Sequence, residues 1–148
     1  MATLKVKIQE DIILDNQNYS SKRTLEIASI DEFSKKIVNC PASSTTTIVN
    51  FDDAVTGTTP KIDTQDSKYI RITNLDSSNS VELAVVGAAT LYQVRLDAGH
   101  SHILGSASAL MLSEADTSPS FGTMADLDVI GCNPGGNAVS LEVVIASV

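Results

Sequence analysis

Residues 3–8, Thr-Leu-Lys-Val-Lys-Ile, alternate without a break: Leu4, Val6 and Ile8 fall on one side, Thr3, Lys5 and Lys7 on the other. Side chains two apart share a face of a strand, so the pattern predicts a half-buried β-strand. The alternation returns in RTLEIASI (23–30), where Leu25, Ile27 and Ser29 oppose Thr24, Glu26 and Ala28. SKKIVN, TTTIVNF, YIRITN, SVELAVV, TLYQVRL, SHIL, LDVIG and VSLEVVIA extend it to the C-terminus, and DIIL (11–14) is a short apolar run. β-Branched residues recur throughout, and about ten segments of strand length result. DEFSKK (31–36) has a second, less favoured reading as a brief helix capped by Asp31.

Turn chemistry separates these runs. DNQNYSSK (15–22), DDAVTGTTP (52–60), LDSSNS (75–80), DAGHS (97–101) and NPGGN (133–137) are the loops. In NPGGN, Pro134 presets one backbone angle and Gly135 and Gly136 admit positive φ. LMLSEADTSPSFGTMAD (110–126) is long for a hairpin loop and is expected to wrap one end of the body or make outside contacts. No segment holds a 3.6-residue period, so crossover helices and a parallel sheet are not expected. The fold predicted is all-β: an antiparallel β-sandwich, jelly-roll-like, as one domain over residues 1–148, with residues 1–8 as an N-terminal strand or arm. Tryptophan is absent, which disfavours an antibody-type domain.

Composition sharpens this. The 148 residues suit one domain with a sizeable core. Charged residues make up 19%, and 18 Ser and 13 Thr fill their place. A hydroxyl-rich, charge-poor surface suits strands, and also suits packing against copies of the chain or a large partner. The net charge of -8 and only ten basic residues argue against nucleic acid as a partner. Residues 1–36 hold six of those basic groups and six acidic ones, so the net negative charge lies in 37–148. The start has no continuous apolar stretch of a secretory signal. The longest apolar run, near LAVVGAATLY, is about half of what a bilayer requires, so no membrane partner is expected.

Candidate chemistry is sparse. His100 and His102 form an H-x-H pair whose imidazoles, on one strand face, would reach the same metal. The pair resembles the first metal motif of cupins, but Ser106 and Ala107 stand near where those proteins carry a carboxylate, and the chain has no third histidine. No metal or other cofactor is therefore expected. Serines lack G-x-S-x-G and a separate histidine base, so a hydrolytic triad is disfavoured. Three Tyr and three Phe are few for stacking sugars in a glycosidase or glycan-binding module. Asp15, Asp52 and Asp53 miss the EF-hand spacing and read as turn caps. Cys40 and Cys132 read as buried free thiols unless the fold brings them together. No catalysis is expected.

The run YIRITNLDSSNSVELAVVG…LYQVRLDAGHSHIL, residues 69–104, has a strand ending in I-T-N-L, a polar turn, a strand, and later an L-x-A-G turn before another strand. This form is similar to small jelly-roll virion proteins of tailed bacteriophages, especially capsid decoration (cement) proteins. The resemblance implies a virion protein on the capsid exterior, made in the host cytoplasm, assembled as a homotrimer and bridging subunits of the major capsid protein. In such a role residues 1–8, alternating and at the terminus, are expected to add a strand to a neighbour's sheet edge, and Lys5, Lys7, Lys22 and Arg23 are the expected polar contacts to the capsid. A tail or baseplate component, a receptor- or glycan-binding module and a cupin-like metalloprotein are the alternatives.

Overall fold

The structure is a computed structural model that describes residues 1–52, 61–87, 90–111 and 122–148. The chain forms β1 (Ala2–Glu10), β2 (Ile13–Leu14), β3 (Gln17–Asn18), β4 (Ser21–Ile30), β5 (Glu32–Cys40), β6 (Thr46–Asp52) and β7 (Ile62–Asp63). It continues with β8 (Ser67–Asn74), β9 (Val81–Gly87), β10 (Thr90–Leu96), β11 (Ser101–Leu104), β12 (Leu127–Asn133) and β13 (Val139–Ser147). No helix occurs among the described residues. The protein is the all-β antiparallel sandwich that the alternation predicts.

One sheet has the order β10-β9-β12-β6-β7 and the other β11-β8-β13-β5. All pairs are antiparallel except β6 with the short β7. From β5 onward, every connection between the long strands crosses from one sheet to the other, except the hairpin β9–β10. The inner faces meet in an apolar core. Ile70 and Ile72 of β8 and Leu141, Val143 and Ile145 of β13 face Leu83 and Val85 of β9 and Ile130 of β12, all at most 2% exposed. Burial of such side chains stabilises by about 1.5–3 kcal/mol each.

One less favoured reading falls away and two expectations change. First, DEFSKK is strand: Asp31 donates its amide to the Ser147 carbonyl, and β5 then pairs with β13 through nine successive residues. A full ladder outweighs the single cap that a two-turn helix would gain, because short helices nucleate poorly. Second, Ser29 does not continue the face of Leu25 and Ile27. Its φ of 62° marks a bulge, and the register jumps from Leu4↔Ile27 to Ala2↔Ile30. The extra residue flips the parity, so Ile30 is the buried one, at 6% exposure. Third, the N-terminal arm does not end at residue 8. β1 pairs along its length with β4, and the arm is a hairpin reaching residue 30. The edge of β1 that was expected to add to a neighbour's sheet is therefore occupied on one side by the chain's own β4.

Of the long loops, 53–60 and 112–121 lie outside the described residues. The second is closed at its base by paired backbone hydrogen bonds between Met111 and Ala125.

Candidate interaction surface

The hairpin lies against the outer face of the β11-β8-β13-β5 sheet. In an antiparallel ladder, residues directly opposite share a face. Leu4↔Ile27, Val6↔Leu25 and Ile8↔Arg23 therefore form one face, and Lys5↔Glu26, Lys7↔Thr24 and Gln9↔Lys22 the other. The first face meets the sheet: Leu4, Val6, Ile27 and Ile30 pack with Tyr69, Val144 and Ala146. This explains why VVIA in β13 is apolar at successive positions. Val143 and Ile145 enter the sandwich core, while Val144 and Ala146 are covered by the arm.

The cover is partial. Two hollows of about 420 and 410 Å³ remain between arm and sheet, and share Val6, Ile8, Tyr69 and Ile103 as walls. Ile8, Leu25, Phe33 and Ile103 border them and stay substantially exposed. Beside them Glu142 accepts from Lys35 at 2.9 Å and from Arg71 at 2.6 Å, and Arg71 also donates to Thr73. The Lys35 hydrogen bond, then that of Arg71, holds the Glu142 carboxyl below its ordinary range against the opposing effect of burial.

Beyond the pair Glu10↔Ser21 the hairpin runs on to a tip. Asp15 and Asn16 both have positive φ, at 50° and 62°, as a type I′ turn requires, so the tip closes in two residues. The tip is braced by hydrogen bonds: Tyr19 N to Ile12 O, Ile12 N to Ser20 Oγ and Ser21 Oγ to Glu10. On this braced frame Ile12, Ile13, Leu14 and Tyr19 are 51–75% exposed.

Of the four basic residues singled out in the sequence, the structure brings Lys5, Lys7 and Lys22 to the outward face of the arm. Arg23 turns to the opposite face and borders a hollow. Lys5 is paired with Glu26 at 2.8 Å, an exposed pair of small energetic weight. Lys7, Lys22 and Arg23 have no partner among the described residues.

The other candidates sit elsewhere. His102 lies in β11, and its ring meets Tyr92 edge-on, with Nε2 3.0 Å from the phenol oxygen. Desolvation lowers its pKa from the ordinary 6.5. His100 precedes the strand, exposed in a turn where its amide donates to Asp97 O. Among the described residues, no three His, Cys, Asp or Glu side chains gather as a metal site. Asp15 forms the tip turn, Asp52 pairs with Lys61, and Asp53 lies outside the described residues. Cys40 and Cys132, from opposite sheets, are brought together as free thiols in side-chain hydrogen-bond contact. Burial pushes both up, Cys132 to about 12.

Sequence reading missed Asn74. It is fully buried, and its Nδ2 donates to the carbonyls of Asn79 and Leu96 while its Oδ1 accepts from Asp76 N. Its backbone meets His100 and Gly99. Asn74 thus ties the 75–80 loop to the 97–101 loop; its signal was an asparagine at an inward position of a strand. Asp76 caps the same loop by accepting from Asn79 N and Ser78 N, bonds that lower its pKa.

Comparison with family models, with curated proteins and with solved structures finds no match to this chain.

Proposed function

We propose that this chain is a non-catalytic structural protein of a virion: a decoration protein on the capsid exterior of a tailed bacteriophage, acting as a homotrimer and bridging major capsid protein subunits. One observation carries the reading: the prominent exposed feature of the fold is a braced arm bearing uncovered apolar side chains above a closed sandwich. A contiguous apolar surface on a soluble fold marks a docking site. The strand order supports a jelly-roll reading. Eight long strands split four and four between sheets, the first of them, β5, lies beside the last, β13, and one hairpin stays within a sheet, as two Greek keys produce. The low charge and hydroxyl-rich composition also favour packing against protein.

The mechanism requires no covalent step. A rigid body that makes several modest contacts at once gains effective affinity beyond that of each contact. Lys7 and Lys22, unpartnered on the outer face of the arm, supply polar contacts to an acidic capsid surface. The test is co-sedimentation with undecorated capsids of tailed phages. Saturable binding at micromolar protein and moderate salt is expected; absence of binding across a panel of capsids overturns the assignment.

A further inference from the structure

We infer that the groove between the arm and the sheet receives the hairpin tip of a second copy of this chain. The inference deepens the self-association in the proposed function and rests on it, but its argument comes from the chain's own two surfaces.

The groove is apolar in its walls and basic at its rim. Arg23, Lys35, Lys68 and Arg71 border the two hollows, Lys5 and Lys7 belong to the strand that forms one wall but turn their side chains to its outward face, and no acidic side chain lines either hollow. Glu26 offsets Lys5, and Glu142 serves both Lys35 and Arg71. Among the described residues Arg23 has no carboxylate, and Lys68 reaches the Gln65 carbonyl and no carboxylate. A net positive rim therefore surrounds an apolar floor, in a molecule whose overall charge is -8.

The tip is the complement. Residues 10–20 carry Glu10, Asp11 and Asp15 and no basic group, together with exposed Ile12, Ile13, Leu14 and Tyr19. An acidic, apolar, preformed β-turn matches a basic-rimmed apolar groove in both charge and polarity, and its hydrogen-bonded frame reduces the ordering cost of docking.

The two surfaces cannot meet within one molecule. Ile13 stands five residues past Ile8 on an extended ladder, about 17 Å along the arm. The contact is therefore between copies, tip of one into groove of the next. Such a head-to-tail interface closes into a ring or propagates as a filament.

The experiment uses the full chain in sedimentation velocity. Two variants each break one half of the contact: Ile13→Ser with Leu14→Ser at the tip, and Ile103→Glu in the groove. These positions are exposed, so circular dichroism and melting temperature are expected to stay near wild type. A second pair, Tyr19→Ser and Lys68→Glu, repeats the test at other sites. Wild type should self-associate below about 100 µM, and each variant at least about tenfold more weakly. Mixing the tip and groove variants should restore one 1:1 heterodimer, because one intact groove and one intact tip remain. Raising salt from about 50 to about 500 mM should weaken association. A monomeric wild type, variants that assemble unchanged, or a mixture that stays monomeric overturns the inference. Capsid co-sedimentation is scored separately, so capsid binding by a monomer would sink this contact and leave the decoration role standing, while assembly without capsid binding would do the reverse.

Discussion

Asn74 shows how one residue organises a region. Replacing it with Ala removes both donors to the Asn79 and Leu96 carbonyls and the acceptor for Asp76 N. Each buried group left unpaired costs about 1–3 kcal/mol, so Asn74→Ala should lose about 2–4 kcal/mol in urea denaturation. His102 gives a pH signature. Its folded pKa lies below the unfolded 6.5, so the unfolded chain binds more protons as pH falls through 6.5. Its contribution is present above 6.5 and is lost as pH drops towards the folded pKa. Thermal melts from pH 8 downwards should show this loss, and His102→Gln should flatten the curve between neutral pH and the carboxylate range. Glu142 and Asp76, also lowered, add a second loss below their ordinary values of 4.5 and 3.8. For the thiols, burial and the raised pKa of Cys132 predict slow labelling. Ellman's reagent should titrate neither cysteine in the native protein and both after denaturation.

Among elements, the end of β9 meets the residue that leads into β12 so closely that a side chain at Gly87 has no space. A Cβ there would sit 2.5 Å from the Asp126 carbonyl oxygen and 3.1 Å from the Met111 sulfur. Backbone cannot yield as a flexible side chain does, so Gly87→Ala should cost about 1–3 kcal/mol, read as a lowered denaturation midpoint at unchanged m-value. The β4 bulge acts in the opposite sense: by spending one extra residue it places Ile30 inward at the point where the arm joins the body.

At the level of the whole molecule, the arm and the sandwich draw on two different apolar clusters. No residue before Val38 contributes to the main core cluster, whereas the smaller cluster under the arm holds Leu4, Val6, Ile27 and Ile30. A chain beginning at residue 31 should keep its β-type circular dichroism and a cooperative melt, at lower stability because Tyr69, Val144 and Ala146 become exposed. Removing residues 1–8 alone is the more damaging cut to the arm, since it strips β4 of its partner. Both truncations should abolish association in sedimentation velocity; self-association by the 31–148 fragment would assign the interface to the sandwich instead.

The strands were legible because alternation is a local property. A period of two in 3–8, 69–74 or 139–143 needs no knowledge of the rest of the chain, and the turn residues of NPGGN act within a few bonds of themselves. The all-β class, the absence of crossover helices among the described residues and the arm's first strand follow from that locality. What each face meets is decided by closure over long sequence distances. That Cys40 touches Cys132, that Val144 lies beneath Val6, and that Asn74 faces the Leu96 carbonyl depend on which strands pair. The groove belongs to this second kind. Its walls come from segments as far apart in sequence as Leu4 and Val144, brought together only when the hairpin folds over the sheet, because no strand can bury its apolar face alone.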